Sequence, residues 1–181
     1  TKTLRGFFDM ALKHKPDLLI CPEWDELNED TGFEPLLAKP MSTQRIIKYY
    51  MALLRGQKPS PNPGDDTSVP NLIVSQRRQL SAGWKMDVEL LNVPDTDKGA
   101  DYTARLELLD ESGKSVFASE EVRFNTAELR DHTFNLPSEK FKDCQALRSK
   151  IEITGGGKKQ VFMDGLPFTV IDGFEPHPRY F

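Results

Sequence analysis

The two halves of this chain follow different hydrophobic periods, and the change between them constrains the fold more than any motif does. From Asn71 onward, apolar and polar residues alternate. Trp84, Met86, Val88 and Leu90 interleave with Lys85, Asp87 and Glu89, and Tyr102, Ala104, Leu106 and Leu108 with Thr103, Arg105 and Glu107. Leu147, Ser149, Ile151 and Ile153 do the same with Arg148, Lys150 and Glu152. A period of two is the mark of half-buried antiparallel strands. Asp110-Glu111-Ser112-Gly113-Lys114 and Gly155-Gly156-Gly157-Lys158 supply hairpin turns between them. Further strands are expected at 72–74, 116–124, 133–136, 160–164 and 167–171. Seven or eight short strands at such spacing describe a β-sandwich. No Cys-Trp-Cys pattern accompanies them, so an antibody-type domain is not implied.

Before residue 57 the period is helical. Leu4, Phe7, Phe8, Ala11 and Leu12 recur at i, i+3, i+4, i+7 and i+8, which predicts an amphipathic helix over 3–15. Pro16 ends it, because the residue before a proline is pushed out of the helical region. Residues 18–21, Leu-Leu-Ile-Cys, are too few for a helix and apolar without alternation. A run apolar on both faces fits a strand of a parallel sheet, covered by helices on one side. A loop follows over 22–40. A second helix then begins with Ser42 as its N-cap, carries Ile47, Tyr50, Met51 and Leu54 with Ile46 beside them, and closes at Gly56. Residues 57–70 hold four prolines and read as a linker. The expected organisation is therefore α+β. A helix–strand–helix segment over 1–56 is followed by a linker over 57–70, an immunoglobulin-like antiparallel sandwich over 71–173 and a tail over 174–181. A lone parallel strand has no partner in the chain, so the first segment reads as the end of a larger α/β domain.

Composition narrows the partners. Of 181 residues, 38% are hydrophobic and 29% charged, which suits a globular protein. The net charge of -4 argues against nucleic acid, which needs a concentrated basic face. No apolar run approaches the roughly 20 residues of a membrane span. His14, His132 and His177 lack metal-ligand spacing, so no metal and no cofactor is expected. Cys21 and Cys144 are expected as unpaired thiols.

The chemistry-bearing stretch is Pro22-Glu23-Trp24-Asp25-Glu26-Leu27-Asn28-Glu29-Asp30, directly after the expected strand. In parallel α/β folds, catalytic groups sit in the loops at the C-terminal ends of strands. Glycosidic cleavage needs two carboxylates, one as acid and one as base or nucleophile. Glu23 and Glu26 are the candidates for that pair. Trp24 can stack on a sugar ring, and Asn28 and Glu29 can bind hydroxyls. A solvated acidic loop accounts for the same residues. Gly64-Asp65-Asp66-Thr67 lacks the acidic spacing of a calcium loop and reads as a turn. The triple glycine with Lys158 and Lys159 precedes a strand rather than a helix, so it is a turn and not a phosphate cradle. Arg77 and Arg78 read as edge decoration. No serine or cysteine nucleophile has a histidine signature beside it. Among the sandwich aromatics, Trp84 is expected in the core, whereas Phe117 and Phe162 fall out of phase and are candidates for the surface.

The 22–29 stretch, followed by Gln44-Arg45-Ile46-Ile47-Lys48-Tyr49-Tyr50, resembles the last βα unit of a (β/α)8 barrel of the family 71 and family 99-like glycoside hydrolases. In those proteins a β-sandwich commonly follows the barrel. The resemblance implies the C-terminal part of a secreted or periplasmic carbohydrate-active enzyme. It implies that Glu23 and Glu26 form one edge of a site completed by a missing N-terminal domain, against which this segment packs. The chain alone would then be inactive, with carbohydrate as the partner of its sandwich. A non-catalytic structural or protein-interaction role is the alternative.

Overall fold

A computed structural model describes residues 1–21 and 41–172. Two helices, α1 (Lys2–His14) and α2 (Ser42–Leu54), precede ten strands. These are β1 (Leu72–Ser75), β2 (Gln79–Ser81), β3 (Lys85–Asn92), β4 (Asp101–Leu109), β5 (Ser115–Ala118), β6 (Val122–Asn125), β7 (Arg130–Pro137), β8 (Arg148–Gly155), β9 (Lys158–Met163) and β10 (Thr169–Ile171). The class is α+β and rich in strands, and the sheets are mostly antiparallel.

Of the three sheets among the described residues, the two larger have the orders β1-β3-β7 and β5-β4-β8-β9, and the third is the pair β10-β2. β6 joins β4 on the same edge as β5, so the strand expected over 116–124 is broken in two. Ser119 holds the break, since its hydroxyl accepts from the Leu106 amide and donates to the Glu120 carbonyl. The inner faces of both sheets contribute to a single core. Met86, Val88, Leu90 and Leu136 come from the first sheet, and Tyr102, Ala104, Leu106, Leu108, Phe124, Ile151 and Ile153 from the second. Leu147 and Phe168 close one end, bonded to each other through their backbones. β2 was not expected; it pairs in parallel with β10. Hairpin β8–β9 turns through Gly156 (φ 56°) and Gly157 (φ 75°), with Gly155 paired to Lys158. Positive φ at both central residues is the two-residue turn whose twist matches the flanking strands.

The helices do not stand apart from the sandwich. Phe8 and Ala11 of α1 are buried, as are Ile46 and Tyr50 of α2. Phe8, Ile46 and Tyr50 form a second core with Ile73, Leu91 and Val93, on the outer face of the β1–β3–β7 sheet. Phe8 stacks on Tyr50 with ring centroids 5.1 Å apart, and the Tyr50 hydroxyl donates to Asp9 at 2.9 Å. Burial foremost, and that bond to Asp9, push the Tyr50 phenol well above its ordinary range. The helical cover explains the burial of β3. Lys85 to Val88 alternate between exposed and buried, but every residue from Glu89 to Asn92 is buried, because the outer face there lies beneath α1 and α2.

Glu89, expected on a solvated face, is only 6% exposed. Arg5 of α1 donates to it at 2.6 Å and to Asp131 of β7 at 3.0 Å, and the Thr1 hydroxyl donates to it at 2.5 Å. Burial raises the Glu89 carboxyl, but the Thr1 hydroxyl and the charges of the amino terminus and Arg5 outweigh it and hold it below the usual range.

Two further expectations are corrected. Residues 18–21 form no strand: they are irregular, with Leu18 72% and Ile20 66% exposed and only Leu19 against the helical core. No strand runs beside them among the described residues, so an extended backbone there has nothing to pair with. Ser42 is the first helical residue, not the cap, which is Met41 with no side-chain cap bond. The 57–70 linker is tied to α2 and, through Arg45, to Asn71. Arg45 grips Asp65 with two bonds, at 2.6 and 3.1 Å, and also reaches Asn71, while Lys48 donates to the Pro61 carbonyl. The end of α2 is as expected. Gly56 (φ 64°) donates to Leu53 and Gln57 to Ala52, the paired bonds of a glycine-terminated helix.

Candidate functional site

Glu23, Trp24, Glu26, Asn28 and Glu29 lie outside the described residues. Of the residues before them, 18–21, Leu19 packs against the helical core.

The described site of greatest chemical interest is at the start of β3. Ser81-Ala82-Gly83-Trp84 is a tight turn, with the Trp84 amide donating to the Ser81 carbonyl at 3.1 Å. Gly83 has φ 84°, the only positive value in the turn, which is the pattern of a type II turn. A Cβ there would lie 3.1 Å from a Glu139 side-chain oxygen, which the flexible glutamate could give way to, so the positive φ is what calls for glycine. The turn puts Trp84 outside the strand. The indole is 47% exposed instead of lying in the core, because the alternation that buries Met86 and Val88 begins one residue later. Trp84 lines a cleft of about 210 Å³ with Arg77, Leu80, Lys85, Met86 and Asp87. Leu80 and Met86 are buried and form its floor, and the other four are exposed. Lys85 stands 3.6 Å from Asp87. An exposed indole with cations and a carboxylate around it offers a flat apolar face and several hydrogen-bonding groups. Those are the needs of a ring with one apolar face and hydroxyls at its rim.

A second recess, between α2 and the linker, gathers Arg45, Lys48, Tyr49, Asp65, Asn71 and Asp95. Its carboxylates diverge. Burial raises Asp95. Burial also raises Asp65, but the Asn62 amide and Arg45 more than offset it and leave Asp65 low. Arg45 is bonded to both Asp65 and Asn71, and Asn71 to the Val93 carbonyl, so these groups tie the linker to the fold.

The other surface aromatics divide. Phe162 of β9 is 42% exposed, with Val161 and Met163 exposed on either side of it. Phe117 is partly buried against the sandwich core, edge-on to Phe134. The two arginines expected as edge decoration lie in the loop between β1 and β2. Arg78 bonds Asp164 and the Leu166 carbonyl, and Arg77 faces the cleft. Asp65 and Asp66 serve turn and ion-pair bonds, as the turn reading requires. Cys21 and Cys144 are unpaired, and burial together with Glu111, Asp110 and Asp143 raises the Cys144 thiol. Among the described residues no group of three or more His, Cys, Asp or Glu side chains could hold a metal ion, and no helix is long and apolar enough to cross a membrane.

Trp84 could have been placed from sequence. Gly83 directly before it is a turn residue, and a strand reading that starts after the glycine pair-step leaves the indole in the turn.

No family model matches the chain, and no curated protein sequence does. Among solved structures, it is similar to a β-glucosidase from Listeria innocua. The glucose complex aligns at 19% identity and TM-score 0.35, over 57% of this chain and 16% of that one. A point mutant bound to laminaribiose gives 19% and 0.34 over 55% and 16%, and the gluconolactone complex 19% and 0.33 over 57% and 16%. These are weak likenesses to glycoside hydrolase chains. The protein spans about a sixth of their length, and at such scores the likeness carries no argument for function.

Proposed function

We propose that this chain is the C-terminal part of a secreted or periplasmic carbohydrate-active protein, in which the immunoglobulin-like sandwich is an accessory module that binds carbohydrate. The observation that carries the reading is Trp84, an exposed indole on a tight turn beside a cleft with charged walls. An indole combines a large apolar face with one N–H donor, which suits it to stacking on a sugar ring. Glu23 and Glu26 belong in this reading to one edge of a barrel site of the family 71 or family 99-like kind, with Trp24, Asn28 and Glu29 contacting sugar. The helix pair is then the last unit of that barrel. The chain alone lacks the opposite wall of such a site, so it hydrolyses no glycoside.

The test is a glycan array probed with the 181-residue chain and with Trp84→Ala. Binding by the first and not the second, at unchanged circular dichroism, is the expected result. Absence of any glycan binding removes the module reading, and turnover of an aryl glycoside by the chain removes the claim of inactivity.

One observation favours a second reading, a non-catalytic interaction protein. Phe7 and Met10 on α1, with Leu18 and Ile20 after it, are exposed apolar residues on the helical segment. Such a group calls for a protein partner whether or not that partner is a barrel. A longer reading frame upstream of Thr1 that encodes an α/β domain supports the first reading, and an initiator codon there supports the second.

A further inference from the structure

Arg77 and Arg78 are adjacent in sequence and opposite in use. Arg78 is spent on the fold: it bonds both oxygens of Asp164, at 2.8 and 3.4 Å, and the Leu166 carbonyl at 2.7 Å, which fastens the loop before β2 to the segment before β10. The Arg77 guanidinium has no hydrogen bond or ion pair among the described residues, and it forms a wall of the Trp84 cleft. The other cation of the cleft, Lys85, stands beside Asp87 at 3.6 Å, so their charges largely cancel. Arg77 is what remains.

From this, and resting on the carbohydrate reading above, we infer that the cleft selects sugars that carry a carboxylate, with Arg77 recognising the carboxylate and Trp84 stacking on the ring. A guanidinium is a rigid planar fork of donors that matches a carboxylate with two parallel bonds, which a lone hydroxyl cannot reciprocate. It stays charged at every physiological pH, so an anion gains from it throughout. A neutral sugar gains only from the indole and from single hydrogen bonds. The floor of Leu80 and Met86 takes the apolar face of one ring, and the cleft is smaller than the roughly 300–1,000 Å³ of an enclosed ligand site. The ligand is therefore an exposed uronate unit of a longer chain, gripped from one side.

The test pairs uronate oligosaccharides with their own methyl esters, which keep the ring and remove the charge. Oligogalacturonate, oligoguluronate and oligoglucuronate, each as free acid and as ester, are titrated calorimetrically into the full chain, Arg77→Gln and Trp84→Ala. At least one acid should bind ten-fold or more tightly than its ester. That preference should vanish in Arg77→Gln and shrink with added salt. Trp84→Ala should weaken acid and ester alike. Arg77 is exposed in a loop, so its substitution leaves the fold intact. Equal binding of acid and ester, or an undiminished preference in Arg77→Gln, overturns the inference and leaves the carbohydrate reading standing. Failure to bind any acid, ester or neutral glycan overturns both.

Discussion

Arg5→Met tests whether the helix pair is bound to the sandwich by chemistry or merely lies on it. In the native protein, Arg5 links α1 to β3 through Glu89 and to β7 through Asp131. Methionine keeps most of the stem and removes the charge, which leaves Glu89 buried at 6% exposure with only its Thr1 contacts. Removing one partner of a buried pair costs about 3–5 kcal/mol when the survivor is left uncompensated. The Thr1 contacts remain, so about 2–3 kcal/mol is expected here, a shift of about 1–1.5 M in the urea midpoint at a slope near 2 kcal/mol per M. Double replacement, Arg5→Met with Glu89→Met, removes both charges and should recover most of the loss. The dependence on pH follows from the carboxylate. Its folded pKa is lowered, so the unfolded chain binds the proton more readily. The stabilisation is then fully present above the unfolded value near ~4.3 and is lost as pH falls through the folded one. In Arg5→Met that acid-side loss should flatten, because burial then acts on Glu89 with less opposition. Urea melts at pH 7 and pH 4 measure all of this. A single-mutant loss below about 0.5 kcal/mol, the level of an exposed pair, would refute the claim that the carboxylate is buried beneath α1.

Three other outcomes are expected. Trp84→Ala should lower stability by less than about 1 kcal/mol, against the 3–5 kcal/mol of a buried tryptophan, and thermal melts separate the two. Gly157→Ala should cost about 1–2 kcal/mol at φ 75°, read in the same melts, although a side chain there meets nothing within 4 Å. Val161→Lys on the exposed β9 edge should leave the melting temperature within a degree or two and reduce aggregation measured by light scattering, since a charged edge blocks strand pairing.

The antiparallel strands were legible because they bury one face each, and a half-buried strand writes its orientation into alternate residues. β4 and β8 fall where Tyr102–Leu108 and Leu147–Ile153 alternate, and the glycine turn closes β8 on β9 as its residues require. What escaped was contact between distant segments. The apolar stripes of the helices carry no address, so nothing in them showed that Phe8, Ile46 and Tyr50 meet Ile73 and Leu91. The sequence holds a trace of this. Leu90 and Leu91 are consecutive apolar residues in a strand that otherwise alternates, and a strand apolar on both faces must be covered on both. Followed through, that pair predicts a second layer over β3 and takes Glu89, two residues before Leu91 on the same face, out of solvent with it.

The same reasoning bears on residues 18–21. An apolar run beside a carboxylate cluster suggested a buried strand, but apolarity records a need for cover and not the kind of cover. Leu19 finds it in the helical core, while Leu18 and Ile20 do not. Both exposed side chains are therefore left for a partner to bury. Leu18→Ser with Ile20→Ser should leave the stability of this chain unchanged in urea, because both side chains are exposed among the described residues, and should weaken association in any longer protein in which the segment is a strand. Loss of stability in the isolated chain would show that these residues are already covered.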